Sequence, residues 1–266
     1  MSKAVAKRKD TGLAEVISIF EAHEGAGFED TSPDDFVLPF IKKVENMSKC
    51  MIASHQNYVP DAKAGQFVHT VLKKSFDSVY MIPVKYDNMY QHYRFPEGTG
   101  GWIANYLHNS SAVPKFGQVE REGKKFRVPV DQTDTYLQQA FNYIGIFLDQ
   151  DKNLLGPAIL PMEKSQCKVA RQFNVMLNTK KIARADGSSI KAPIFSHMYH
   201  LSLQSISNDM GAWYSFNYDS GELLTDPNLL TEAVDLAATL RDVDTTTLAP
   251  EEEASEQTPK EETFEV

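Results

Sequence analysis

Residues 78–102 combine aromatic, basic and glycine residues at spacings that suit binding to flat, charged ligands. The first part, residues 79–84, is an unbroken apolar run, which predicts a strand buried on both faces. If this strand continues, alternate side chains point to the same side. One face then carries Tyr86, Tyr90, His92 and Arg94, and the other carries Lys85, Met89, Tyr93 and Phe95.

Aromatic rings and a guanidinium on a half-exposed strand can stack on any nucleobase, at about 1–3 kcal/mol per base. The row from Tyr86 to Arg94 therefore predicts a platform for bases, which Lys85 and Trp102 would complete. Trp102 follows a glycine-rich turn, and residues 102–108 have a helical pattern. The alternative is an amphipathic strand whose aromatic residues lie in a core, because aromatic residues favour strands.

Two other segments carry cations that suit contacts with phosphates. Residues 115–130 predict a hairpin with Glu122 and Gly123 in its turn. Residues 162–178 predict a helix, and three of its cations share one face because they are spaced by four and three residues. A solvated helix face is the alternative for these three. The six predicted phosphate contacts are Lys124, Lys125 and Arg127 in the hairpin, and Lys164, Lys168 and Arg171 in the helix.

The negative charge of the chain is concentrated at its C-terminal end. The net charge is −9, and nine of the 36 acidic residues but one of the 27 basic residues lie in residues 242–266. This segment is poor in apolar residues, which predicts a disordered tail. Such a tail could occupy a basic groove in place of nucleic acid. Glu261, Glu262 and Phe264 are the candidate partner contacts, and a merely solubilising tail is the alternative.

Catalytic and metal-binding patterns are weak. His197 and His200 fall on opposite faces of a predicted strand, and Asp149 and Asp151 lie in a short turn. The sequence contains neither a phosphate-binding loop nor a nucleophile motif. We therefore predict a protein that is not an enzyme and that has no cofactor and no metal.

Two cysteines far apart, Cys50 and Cys167, suit a reducing cytoplasm. No apolar run is long enough to span a membrane, and no secretory signal is recognised.

The pattern of elements predicts an α+β fold of mostly antiparallel strands with peripheral helices. Strands are expected around residues 35–46, 66–72, 156–161, 197–206 and 213–218, and residues 79–95 are expected to form either one long strand or a bent pair of strands. Residues 135–148 form either one strand or a helix that runs into a strand. A last helix is expected to begin at Asp226 and Pro227, a favourable cap. Three regions follow: an arm with a short helix (1–27), a body (28–242) and the acidic tail (243–266).

Several segments resemble a family of phage-encoded single-stranded DNA-binding proteins. They are GAGFEDTSPDDFVLPFIKKV, VYMIPVKYDNMYQHYRFPEGTGG, GPAILPMEKSQCKVARQFNVML and SNDMGAWYSFNY, and together they cover most of residues 25–220. The tail also resembles that of phage and bacterial single-stranded DNA-binding proteins, which are OB-fold proteins with an acidic end and a terminal aromatic residue. Here Phe264 stands third from the end.

The resemblance implies an OB-like barrel or sheet in which aromatic residues stack bases and lysines hold phosphates. It also implies a role in phage DNA replication or recombination in the host cytoplasm, with replication or recombination proteins of phage or host recruited by the tail. A mediator that anneals complementary strands as a homo-oligomer is one alternative. A structural or adaptor protein that does not bind DNA is another.

Overall fold

The computed structural model describes residues 38–97, 101–209, 211–241 and 243–247. The helices within these residues are α1 (Cys167–Thr179) and α2 (Pro227–Thr239). The strands are β1 (Ile41–Lys43), β2 (Phe67–His69), β3 (Lys74–Phe76), β4 (Ser78–Arg94), β5 (Trp102–Leu107), β6 (Phe116–Arg121), β7 (Lys124–Pro129), β8 (Thr135–Leu148), β9 (Leu154–Glu163), β10 (Lys181–Ala183), β11 (Ser189–Lys191), β12 (His197–Asn208), β13 (Gly211–Tyr218) and β14 (Glu222–Leu223).

Nine strands form the main sheet, and their pairings are antiparallel. The order is β13-β12-β4-β8-β7-β6, with β14 beside β12, β5 beside β4 and β9 beside β8. Strands β1 to β3 form a small sheet of their own, and β10 pairs with β11. The predicted α+β class with mostly antiparallel strands is confirmed. Among the described residues no pairing joins β6 to β13, so this sheet does not close into the barrel that the resemblance implied.

Two long strands, β4 and β8, form the centre of the main sheet. They pair from Tyr80 opposite Leu148 to Arg94 opposite Thr135, with a register shift beside Pro83. A β-carbon on Gly145, which pairs with Pro83, would lie 2.3 Å from the carbonyl oxygen of Ile82. Glycine at this position therefore lets the two backbones approach at the bulge. The structure shows one long strand over Ser78–Arg94, which is one of the two forms that the sequence predicts for residues 79–95.

The two faces of this sheet pack against different helices. One core contains Phe141 and Tyr143 of β8 with Phe173 of α1, and these side chains are buried. The other contains Ile144 of β8 with Ala233 of α2. Residues 141 and 143 lie on the face opposite to residue 144 because side chains alternate along a strand. The amphipathic helices are thus held by apolar burial on either side of the sheet.

Local signals in the sequence predict the ends of several elements correctly. Glu122 and Gly123 both have positive φ angles, 51° and 73°, which is the geometry of a two-residue hairpin turn between β6 and β7. The Asp226 side chain accepts hydrogen bonds from the backbone nitrogens of Asn228 and Leu229, at 2.8 and 3.3 Å, and so caps α2.

Two predicted helical segments differ from the structure. Residues 102–107 form strand β5, since β12 covers only the first residues of β4 and leaves the edge from Met89 to Tyr93 for β5 to pair with. Helix α1 begins at Cys167 instead of Met162, because Met162 and Glu163 still pair with β8 and Lys164 has a φ of 51°, outside the right-handed helical region.

The ends of the three predicted regions are only partly described. Residues 1–37, with the predicted arm, its helix and the start of the body, lie outside the described residues, as do residues 248–266 of the tail. Residues 243–247, which the sequence places in the disordered tail, instead belong to the folded body. Thr245 is buried, and its hydroxyl donates to the Asp87 carboxylate at 2.7 Å.

Candidate nucleic-acid interface

A groove opens where β8 changes its neighbour in the main sheet. Strand β7 pairs with β8 at Arg127 opposite Leu137, and β9 pairs with it from Glu163 opposite Ala140 onward. The groove between them has a volume of about 590 Å³. Five cations and one carboxylate line it, and together they define what we call the basic groove: Lys124, Lys125, Arg127, Lys164, Arg171 and Glu97.

Three separate parts of the chain position these cations. The β6–β7 hairpin carries three of them, the turn between β9 and α1 carries Lys164, and α1 carries Arg171. Five of the six predicted phosphate contacts are thus brought together. Lys168 is exposed on α1 and is not among the residues that line the groove. The predicted helical face with Lys164, Lys168 and Arg171 does not form as such, because α1 begins only at Cys167.

Arg171 is held in place by neighbouring side chains. Its guanidinium donates to Oε1 of Gln139 at 3.0 Å, and Nε2 of Gln139 in turn donates to Oδ1 of Asn88 at 3.0 Å. The guanidinium also lies 5.5 Å from the centre of the Phe141 ring. A cation whose orientation is fixed before binding loses less conformational entropy when a ligand arrives.

Glu97 bridges two of the groove lysines. Its Oε2 accepts from Nζ of Lys124 at 2.9 Å, and its Oε1 lies 3.0 Å from Nζ of Lys164. Partial burial raises the pKa of this carboxyl, but the hydrogen bonds from the two lysines outweigh burial and hold the pKa below its ordinary value. The bond to Glu97 likewise raises the pKa of Lys124. The Glu97 carboxylate and the Lys124 ammonium group are therefore both charged at neutral pH.

Cys167 lies in the wall of the groove. Burial raises the pKa of its thiol, although the nearby Arg171 opposes this effect. Its Sγ is 3.5 Å from the carbonyl oxygen of Gln139, to which it donates. Since the thiolate and not the thiol is the nucleophile, this cysteine is poorly suited to covalent chemistry.

The predicted base platform on β4 is not a half-exposed row. Tyr90 stacks on His108, with ring centres 5.2 Å apart, and only 7% of its surface is exposed. His92 is 1% exposed, and its Nε2 lies 2.7 Å from the Thr135 hydroxyl. The prediction of exposed rings is wrong for these two residues, because β5 and β6 supply covering side chains that alternation alone does not reveal.

Other residues of the predicted platform lie apart from the groove. Tyr86 is half-buried against Phe141 and Tyr143, and burial raises the pKa of its hydroxyl. Arg94 is exposed at the end of β4. Trp102, on β5, donates from its indole nitrogen to Oδ1 of Asn105 at 3.1 Å.

Lys85 lies on the opposite face of the sheet from Tyr86. Its Nζ donates to the carbonyl oxygens of Leu240 and Val243, at 3.0 and 3.1 Å. This lysine therefore tethers the segment that follows α2. Glu261, Glu262 and Phe264, the predicted partner contacts, lie outside the described residues.

The groove contains aromatic residues that the sequence analysis did not select. Phe126 and Tyr136 line it, with ring centres 5.5 Å apart, and Phe95 packs on both. Phe126 is half-buried, whereas Tyr136 is buried. The available signal was the position of Phe126 between Lys125 and Arg127, since an aromatic residue among cations is typical of single-strand binding surfaces.

The described residues show no arrangement for a metal ion, as no group of three or more His, Cys, Asp or Glu side chains there is suitably placed. No helix in this part of the chain has the length and apolar character needed to cross a bilayer.

Comparison with known proteins gives a match to a family model. No curated protein and no solved structure matches the chain. A sequence model for the Pam3 phage gp34-like protein matches residues 8–245, which is most of the chain and includes every residue of the basic groove. The match indicates a phage protein, and its description names no ligand and no activity. The chain belongs to the Pam3 phage gp34-like protein family.

Proposed function

We propose that this chain binds single-stranded DNA without regard to sequence, as a non-catalytic protein of phage replication or recombination. One observation carries the proposal: five cations from three separate segments converge on one groove that contains a single carboxylate. Lys and Arg side chains that contact phosphates release counterions, and this release supplies most of the affinity in sequence-independent binding.

The positions of the cations favour an extended polyanion as the ligand. The hairpin cations and the pair formed by Lys164 and Arg171 come from the two sides of the gap in the sheet. A chain with regularly spaced phosphates can contact all five cations along both sides at once, whereas a small anion can contact only some of them. The groove is also large, at about 590 Å³.

Phe126 favours a single strand over a duplex. Its half-buried ring lines the same groove as the cations, so a base next to a bound phosphate can reach it. Bases in a duplex are already stacked on each other, whereas bases of a single strand can stack on a protein ring. The ring packs on Phe95 and Tyr136, and this contact holds it in place.

The acidic tail also has a role in the proposed function. Its carboxylates would compete with DNA for the basic groove, and Glu261, Glu262 and Phe264 would contact replication or recombination proteins. Charge complementarity supports this part of the proposal, because the tail concentrates carboxylates in a chain whose groove concentrates cations.

Fluorescence anisotropy with a labelled dT oligonucleotide and with its duplex, at two salt concentrations, tests the proposal. We expect tighter binding to the single strand, and a slope of log affinity against log salt of about −3.5 if all five cations contact phosphates. Lys125→Glu should weaken binding about tenfold and reduce the slope by about one. Lys152→Glu, at the opposite end of β8, is the matched control and should change little.

Two results would contradict the proposal. One is no binding at low salt, even after removal of residues 248–266. The other is equal loss of affinity in Lys125→Glu and Lys152→Glu, which would show that overall charge and not the groove determines binding.

A further inference from the structure

The bridge through Glu97 crosses the basic groove. Lys124 comes from β7 and Lys164 from the turn that follows β9, and these strands flank the gap along β8. Each lysine contacts a different oxygen of the same carboxylate, at 2.9 and 3.0 Å. One anionic group therefore receives one cation from each side of the groove.

This arrangement differs from two other ion pairs in the described part of the chain. Lys43 pairs with Glu45, two positions along the chain, and Lys152 pairs with Glu222 at 3.6 Å. Each of these carboxylates has one lysine partner, whereas Glu97 has two. Two lysines can contact a phosphodiester in the same way, with one ammonium group on each of its two non-bridging oxygens.

The exposure of the three side chains suits exchange of one anion for another. The side chains of Lys124 and Lys164 are 68% and 58% exposed, whereas that of Glu97 is 23% exposed. Ion pairs with exposed partners contribute little stability. The two ammonium groups can therefore turn to an incoming phosphate without uncovering apolar surface.

We infer that Lys124 and Lys164 form a phosphate-binding site that the Glu97 carboxylate occupies until a nucleic acid displaces it. The inference rests on the proposed function and adds how binding is regulated. Each time a nucleic acid binds, one of its phosphates replaces the Glu97 carboxylate, so Glu97 lowers the affinity for nucleic acid. A purely structural role, in which Glu97 ties the β6–β7 hairpin to the turn before α1, predicts no gain in affinity when the bridge is removed.

Glu97→Gln tests this inference, because glutamine keeps the shape of the side chain and removes its charge. We expect the affinity for a dT oligonucleotide to rise about five- to tenfold, which corresponds to the loss of two exposed ion pairs. Glu222→Gln is the matched control, since it makes the same change in net charge and frees Lys152 at the opposite end of β8. Its affinity should change less than about twofold, as expected for a distant, screened charge.

Two further variants separate the bridge from net charge and from stability. Glu97→Asp keeps the charge but shortens the side chain, so the carboxylate can no longer contact both lysines. The affinity for the oligonucleotide should therefore rise, but less than in Glu97→Gln. In a background of Lys124→Gln with Lys164→Gln, the gain from Glu97→Gln should disappear. The melting temperature of each variant reports whether the bridge also stabilises the fold.

The outcomes distinguish a failure of the inference from a failure of the proposed function. If Lys124→Gln and Lys164→Gln weaken binding but Glu97→Gln does not strengthen it, the inference is wrong and the proposed function stands. If the wild type binds the oligonucleotide and the lysine variants bind equally well, the inference is wrong and the proposed function rests on the other three cations of the groove. If the wild type binds no oligonucleotide, both are wrong. A gain that persists without the two lysines would also overturn the inference.

Discussion

Phe126 differs from the other aromatic residues near the basic groove in how much of its ring is uncovered. Tyr136 beside it and Tyr90 on β4 are 5% and 7% exposed, whereas Phe126 is half-buried. A ring must present a free face to stack on a base. At the scale of single residues, the contact with bases is therefore expected at Phe126 and not at Tyr90.

Phe126→Leu should lower the affinity for a dT oligonucleotide by about fivefold, because leucine keeps apolar packing but loses about 1 kcal/mol of stacking. The salt slope should stay the same, since no charge is removed. Tyr90→Phe, which keeps the buried ring, is the control and should bind like the wild type. Equal affinities for all three proteins in the anisotropy titration would exclude Phe126 as a base contact.

His92 makes the stability of the protein depend on pH. It is buried, its Nδ1 has no hydrogen-bond partner among the described residues, and burial lowers its pKa from the usual value. The unfolded chain then takes up a proton at a higher pH than the folded chain does. The free energy of unfolding should therefore fall as the pH decreases below about 6.5, and level off below the folded-state pKa.

Urea unfolding at pH 7.5 and pH 5 measures this dependence. We expect the wild type to be less stable at the lower pH, and His92→Gln to show a smaller difference between the two conditions. His69 and His197 also have lowered pKa values through burial, so part of the dependence should remain. An unchanged difference in His92→Gln would assign the effect to these two residues.

At the scale of elements, the segment after α2 is fastened to the main sheet by polar contacts from β4. Lys85 donates to two backbone carbonyl groups of this segment, and Asp87 accepts from the buried hydroxyl of Thr245. The sequence predicts that Lys85 contacts DNA, whereas these bonds point to a structural role on the face opposite to Tyr86.

Lys85→Met should lower the free energy of unfolding by about 1–3 kcal/mol, because a charged donor to two carbonyl groups is lost. Its affinity for a dT oligonucleotide should stay within about twofold of the wild type, since the basic groove is left intact. Lys125→Met is the converse control. It should bind the oligonucleotide more weakly and change the free energy of unfolding little. Loss of affinity without loss of stability in Lys85→Met would restore the predicted role in DNA binding.

For the molecule as a whole, the excess of acidic over basic residues lies mainly at the C-terminal end of the chain. Residues 248–266 contain seven acidic residues and Lys260, whereas the basic groove lies in the folded body. Val243 and Thr245 are bonded to β4, so removal of the tail from residue 243 would also remove structural contacts. A deletion that tests the tail alone must therefore begin after Thr247.

Deletion of residues 248–266 should tighten binding to a dT oligonucleotide, and more strongly at low salt, because competing carboxylates are removed. Deletion of residues 243–266 should in addition lower the melting temperature, since the bonds to Lys85 and Asp87 are lost. Unchanged or weaker binding after the shorter deletion would contradict competition by the tail.

Elements that depend on local chemistry can be predicted from the amino-acid sequence. The apolar run before Lys85, the turn at Glu122 and Gly123, and the cap at Asp226 each predict the strand, hairpin or helix that is observed. Alternation along β4 also separates Lys85 from Tyr86 correctly. These signals work because backbone preference and side-chain period act over a few neighbouring residues.

Which distant residues come into contact depends on how the strands pair in three dimensions. Lys124 and Lys164 are distant in the sequence, and they share Glu97 because β7 and β9 flank the same stretch of β8. Tyr90 is covered because later strands place His108 and Phe116 against it. A strand pattern shows which side chains share a face, but what covers that face depends on pairing between distant segments, which no local sequence signal encodes.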